Sequence, residues 1–207
     1  MKDIHFNLLR RRGESMSKPR VNNKVRFAGK VIHIRKENNF TSMIINTGPE
    51  EGSLHHNTPR VVAFEKVLPF LSNIEVGDYV LVDATIQSNR GNPATPRTFA
   101  VNHVSKLNPD TENYKSVNRF NLNGRLLNPE KIGKNIVKAR VLVRGNQTNF
   151  LTVHLYSQNT DEIERLMSAE GKLVFLTGTV ETDKDFDKDG TIRRYERLSI
   201  KRFNVFE

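Results

Sequence analysis

The chain has 207 residues, with 33 Lys and Arg against 23 Asp and Glu, a formal net charge of +10 and a mean hydropathy of −0.56. It contains no Cys, which excludes disulfides, thiolate metal sites and cysteine nucleophiles, and it contains no run of about 18 apolar residues, which excludes a membrane-spanning helix. No signal-peptide apolar stretch follows the start, so a cytoplasmic protein is expected, and the positive charge makes a polyanion the first partner to consider.

Residues 1–20 carry +4, concentrated in Arg10, Arg11 and Arg12 and in Lys18 and Arg20, and read as a basic arm. Met16-Ser17-Lys18-Pro19-Arg20 would itself serve as an ordinary start, so residues 1–15 carry little weight in the reading. Residues 21–107 carry +3, residues 108–116 carry −1, and residues 117–207 carry +4. The stretch 108–116 is polar and contains Pro109, as a linker should.

From residue 21 onward the apolar period is mostly two, the strand period. Val25, Phe27, Gly29 and Val31 point one way, while Lys24, Arg26 and Lys30 point the other. Val31 and Ile32 then stand side by side, so the phase changes just after a glycine, as a first strand needs when it bends between two halves of a small barrel. Further on, Val80, Val82, Ala84 and Ile86 form a second inward row. Between them, Glu65 to Ile74 has helical character that Pro69 interrupts.

The same order then recurs. Phe120, Leu122, Gly124 and Leu126 repeat the first strand, with Gly124 lying 95 residues after Gly29. Val174, Leu176, Gly178 and Val180 repeat the inward row, with Gly171 lying 94 residues after Gly77. Asn159 to Glu170 carries Ile163, Leu166 and Met167 at helical spacing. Each copy therefore predicts strand, strand, strand, helix, strand, strand, which is the OB-fold order, and supplies too few strands for a sandwich. The expectation is an all-β chain with short helices: two tandem five-stranded OB-fold barrels over 21–107 and 117–207.

On these words the sequence resembles the bacterial and phage single-stranded DNA-binding protein family. In the first copy the matching residues are Asn23-Lys24-Val25 with Gly29, Arg60 to Phe64, and Val76-Gly77-Asp78-Tyr79-Val80. In the second they are Asn118-Arg119-Phe120 with Gly124-Arg125, Leu151 to Leu155, and Gly171 to Gly178. Thr182 to Gly190 followed by Arg193-Arg194-Tyr195 is similar to the family's long hairpin. The resemblance implies stacking of bases on Phe64, Phe150, Tyr156 and Phe186, because stacking on an aromatic face tolerates any base.

Parity supports two of these on its own. Leu151, Val153 and Leu155 should face the core, which turns Phe150, Thr152, His154 and Tyr156 outward, and aromatics on a polar face call for a covering partner. The first copy departs from the pattern: its hairpin is shorter and lacks an aromatic, and Thr58 stands where Phe150 stands in the second. Phe40 is the candidate replacement, and weaker binding or an assembly role is expected of that copy. The phosphate candidates are Lys24, Arg26, Lys30, Arg119 and Arg125 on the first strands, then Arg60, Arg90, Arg97, Arg140, Arg144, Arg193 and Arg194.

The resulting expectation is sequence-tolerant binding of single-stranded DNA, without chemistry or cofactor, in replication, recombination or transfer of a phage, plasmid or chromosome. The alternatives are an RNA- or tRNA-binding OB protein and an assembly subunit whose aromatics meet protein. The resemblance also implies four OB units per assembly, hence a homodimer, whereas its acidic C-terminal tail is not expected, because Phe203 to Glu207 read as part of the last strand. Asp185 to Glu196 fits the EF-hand calcium pattern, but its flanks read as strands rather than helices, so a hairpin turn is expected and no metal. His55-His56 lacks a carboxylate pair, and Asp161, Glu162 and Glu164 suit a helix N-terminus, so no catalytic constellation is expected.

Overall fold

The computed structural model describes residues 22–48, 57–89, 97–108, 116–145, 147–186 and 192–206. Residues 1–21 with the expected basic arm, most of the 108–116 stretch, and residues 187–191 with the expected hairpin turn therefore lie outside the described residues. In the first repeat, β1 (Asn23–Lys36), β2 (Phe40–Asn46), β3 (Arg60–Phe64), β4 (Tyr79–Ser88) and β5 (Arg97–Leu107) form a closed ring in the order β1-β2-β3-β5-β4. In the second, β6 (Val117–Gly133), β7 (Ile136–Arg144), β8 (Thr148–Tyr156), β9 (Leu173–Phe186) and β10 (Ile192–Phe206) form the ring β6-β7-β8-β10-β9. The pairs β3–β5 and β8–β10 are parallel and the rest antiparallel. Two five-stranded OB barrels are the result, as the alternation predicts.

The inward rows fill the barrels. Val25, Phe27, Val31, Val80, Val82, Ala84 and Ile86 are buried in the first, with Phe27 edge-on to Phe99 at 5.3 Å. Phe120, Leu122, Leu126, Val174, Leu176 and Val180 are buried in the second. Each first strand bends where the glycine sits. A Cβ on Gly29 would lie 2.0 Å from the Asn46 carbonyl oxygen, and one on Gly124 2.5 Å from that of Leu142, so only glycine lets strand two cross here. The phase change follows as expected, with one adjustment. Ile32 is the extra residue of a bulge between Val31 and His33 and is exposed, while Ile34 resumes the inward row.

The segment between strands three and four differs between the barrels. Pro69 confines the first to a 3-10 helix, Glu65–Leu71. The second is α1 (Thr160–Met167), whose N-cap Asn159 accepts from the Asp161 N–H at 2.9 Å and whose Ile163 and Leu166 are buried. Asp161 and Glu162 occupy its first turn, where the helix dipole favours them. The calcium-type segment lies on β9 and β10, with Phe186 paired to Ile192, not between helices.

The sequence does not announce how the barrels join. β1 and β6 pair antiparallel, with Val25 opposite Phe120 and Arg26 opposite Arg119. Val25 and Phe120 are counterparts in the repeat, so the seam has the self-complementary form of a two-fold dimer interface inside one chain. Side chains reinforce it in reciprocal pairs. The Asn149 carboxamide oxygen accepts from the Ser88 N–H at 2.8 Å, and the Asn57 oxygen accepts from the Thr182 N–H at 3.4 Å. Arg97 and Glu196 also hold equivalent places, each opposite its own strand-four partner, Ser88 and Thr182. Arg97 donates to the Thr152 carbonyl at 3.3 Å, and Glu196 accepts from the Arg60 N–H at 3.0 Å.

Candidate nucleic-acid interface

Strand three ends in each barrel with an outward aromatic. Phe64 is 46% exposed and lies across from Phe40 in the β2–β3 register. Tyr156, its counterpart, is 38% exposed and lies across from Ile136 in the β7–β8 register. The first barrel thus presents two phenyl rings where the second presents one phenol beside an aliphatic chain. Phe40 therefore lies next to Phe64, at the opposite end of the strand from Thr58.

Tyr156 is embedded in polar contacts. The Arg197 guanidinium sits 5.4 Å from its ring centroid, donates to its hydroxyl and pairs with Asp183. The His154 ring lies 6.4 Å away in a stacked arrangement. Desolvation raises the phenol pKa, while Arg197 pulls it the other way. Phe150 is half-buried, with the Arg140 guanidinium 5.4 Å from its centroid. It borders an open cleft of about 750 Å³ with Gln147, Asn149 and Ser88 of the first barrel. The alternation that turned Phe150 and Tyr156 away from the core is present: Leu151, Val153 and Leu155 are buried and point inward. The side chain of Phe186 lies outside the described residues.

The cations divide into three groups. Lys24, Arg119, Arg140 and Arg144 are exposed and make no ion pair among the described residues. Others are engaged. Arg26 is bidentate to Asp83 at 2.7 and 3.0 Å, a contact that raises its pKa. Lys30 lies 6.0 Å from the Tyr79 ring centroid, and Arg125 donates to the Gly171 carbonyl at 2.8 Å. Arg60 is exposed, with its backbone N–H bound by Glu196. Arg97 stands apart. It lies largely buried between the barrels, where desolvation lowers its pKa and the charge of Glu196 works against that lowering. That position makes it a fastener of the seam rather than an open phosphate contact. Arg90 lies outside the described residues, as do the side chains of Arg193 and Arg194.

Two related clefts lie along the first strands, one spanning the seam and one within the second barrel. One, of about 700 Å³, is lined by Lys24, Arg26, Asp83 and Asn102, closed by Gln147 and Asn149 of the second barrel. The other, of about 310 Å³, is lined by Arg119, Thr177, Lys201 and Arg202. Lys24 corresponds to Arg119 and Asp83 to Thr177, so the second cleft lacks the carboxylate that neutralises the first. Lys201 and Arg202 escape a sequence reading because the bulge between Ile200 and Arg202 breaks their alternation. Tyr195, 39% exposed opposite Asp183, and Phe70, 65% exposed on the 3-10 helix, were likewise invisible to parity.

Fold and seam define a tandem OB-fold protein with aromatics and cations on its outer surface. Two solved structures share that architecture along nearly their whole length. A deletion variant of the single-stranded DNA-binding protein from Thermus aquaticus superposes with a TM-score of 0.65 at 14% identity, covering 89% of this chain and 94% of that one. The wild-type Thermus aquaticus protein gives 0.60 at 15% identity, covering 91% and 94%. No protein-family profile matches the sequence, and no curated protein matches it. Among the described residues no helix is long and apolar enough to cross a membrane.

Proposed function

We propose that this chain binds and coats single-stranded DNA without sequence reading and without chemistry. The single observation that carries this is the repeated strand-three end: an exposed aromatic, Phe64 or Tyr156, at the same place on two OB barrels whose surfaces are basic. Bases stack on such rings at about 1–3 kcal/mol each, and the cations follow the phosphates. The Thermus aquaticus proteins of the same fold are named for single-stranded DNA binding, which supports the choice of ligand. Replication, recombination or transfer of a phage, plasmid or chromosome is the setting such coating serves. Folding units over 21–107 and 117–207, joined by 108–116, and a homodimer of four barrels belong to the same proposal.

The test is a titration of labelled oligo-dT, oligo-U and a matching duplex at two salt concentrations. Oligo-dT should bind well above the duplex, with log affinity falling against log salt at about −0.7 per phosphate contacted. Equal affinity for duplex and single strand overturns coating, and preference for oligo-U moves the ligand to RNA. Combining Tyr156→Ala with Phe150→Ala should weaken oligo-dT binding about tenfold or more while leaving the salt slope unchanged. Lost thermal stability with intact binding would instead assign those rings to packing.

A further inference from the structure

Beside Tyr156 lies a group of polar atoms that the fold leaves unused. Ser199 is fully buried on the outer side of β10, across from His154 in the parallel β8–β10 register. Its hydroxyl has no hydrogen-bond partner, and neither do His154 Nδ1 and Arg197 Nε. A buried polar atom without a partner costs about 1–3 kcal/mol, so three in one place call for something that satisfies them. Lys138 faces His154 across the β7–β8 register and is exposed.

The charge around this group is predominantly positive. Lys138 comes from β7, Arg197 from β10 and Arg97 from β5 of the first barrel, and all three act on His154; Glu181 of β9 opposes them. Glu181 is itself paired with Lys201 at 3.2 Å, and Asp183 with Arg197. Burial and the three cations push the His154 imidazolium pKa down to about 4. The ring is therefore neutral at physiological pH in the free protein, held so by desolvation and by its cationic neighbours.

We propose that a phosphodiester group of the bound strand seats over His154, between Lys138 and Arg197 and beside the ring of Tyr156. This rests on the single-strand reading above and gives it a defined phosphate position. An anion there accepts from Lys138 Nζ and offsets the repulsion of Lys138, Arg197 and Arg97, which adds to burial in keeping His154 neutral. His154 then takes a proton from solvent. Binding and proton uptake become linked. Full return of the pKa to its ordinary value of about 6.5 would take up about 0.9 proton at pH 5.5 and about 0.1 at pH 7.5, and these are upper limits because burial persists. Affinity then rises as pH falls from 7.5 to 5.5, by up to about tenfold.

Calorimetric titration of the full chain with oligo-dT, in two buffers of different ionisation enthalpy at pH 5.5 and 7.5, reads both quantities. Thymine carries no group that titrates in this range. His154→Gln should abolish the extra proton uptake and flatten the pH response, and Lys138→Gln, an exposed change, should lessen the uptake and reduce the salt slope by about 0.7. Oligo-dT binding with the same uptake and pH response in the wild type and His154→Gln overturns the phosphate position while leaving the coating function standing. Absence of oligo-dT binding at either pH overturns the coating function and this site with it. The free fold sets the lower pH limit. Because His154 has a depressed pKa, the unfolded chain takes the proton first, so stability declines as pH falls from about 6.5 towards 4. A melting curve at pH 5.5 for each variant separates lost folding from lost binding.

Discussion

At the centre of the seam Val25 faces Phe120, and the strand behind each has a different residue for the same space. In the first barrel Val25 lies across from Ala84; in the second, Phe120 lies across from Gly178. A Cβ added to Gly178 would come within 2.7 Å of the Phe120 ring and 1.9 Å of the Ser199 carbonyl oxygen. The larger side chain on one strand and the missing one on the next are a matched pair, and so are the smaller valine and the alanine. The two barrels have kept one backbone plan while partitioning the volume at this crossing in opposite ways. Equivalent positions in a duplicated protein therefore differ in sets, and the set is the unit to mutate.

The largest expected effect follows directly. Gly178→Ala inserts a methyl group where backbone and aromatic ring already close the space, and should cost about 3 kcal/mol, the upper range for overpacking. Thermal or urea melting measures it. Adding Phe120→Val, which copies the Val25–Ala84 arrangement, should recover part of that loss, the part owed to the ring rather than to the Ser199 carbonyl. A Gly178→Ala variant as stable as the wild type, or a double variant no better than the single, breaks the matched-pair account.

The barrel plan was legible because period-two alternation survives wherever one face is buried. Val80 to Ile86 and Val174 to Val180 are read correctly from spacing alone, and two copies of the same order fix the OB arrangement. Asn159 and the acids after it marked the helix start for the same local reason. The seam was not legible, since Asn57, Asn149, Arg97 and Glu196 are polar residues whose partners are 55 to 136 positions away. Arg97 illustrates the limit of reading charge from sequence. It looks like any surface cation until the second barrel covers it. The His154, Arg197 and Ser199 group is hidden for a similar reason, because three unremarkable residues from two strands become a cluster only through parallel pairing.

Charge at the seam is the second place to test the comparison. Arg97 and Glu196 are equivalent residues of opposite sign, each reaching the opposing barrel's third strand. Two first barrels paired with each other would bring Arg97 against Arg97, and two second barrels Glu196 against Glu196, so the sign difference favours pairing unlike copies. Arg97→Glu or Glu196→Arg alone should cost about 2 kcal/mol by leaving like charges in a covered place. The double exchange restores opposite signs and should regain about half of the summed losses. Strictly additive losses in the double variant would show that the two residues act separately and that the seam's asymmetry is incidental.

The smallest expected effect separates the two clefts. Arg26 is held by Asp83 in the first, whereas Thr177 leaves Arg119 and Arg202 without that acid in the second, where Lys201 is paired with Glu181. The Arg26–Asp83 pair is exposed, so breaking it with Asp83→Thr should change stability by no more than about 0.5 kcal/mol. Its consequence lies in binding. A guanidinium released from its carboxylate can take a phosphate, which would steepen the salt dependence of oligo-dT binding by about 0.7 in slope and make the first cleft resemble the second. The reverse exchange, Thr177→Asp, offers a carboxylate to Arg119 and should flatten the slope by a similar amount. If neither exchange moves the slope, the strand does not run through the clefts. Its phosphate contacts would then lie on the strand-three faces beside Phe64 and Tyr156, the rings on which stacking is proposed.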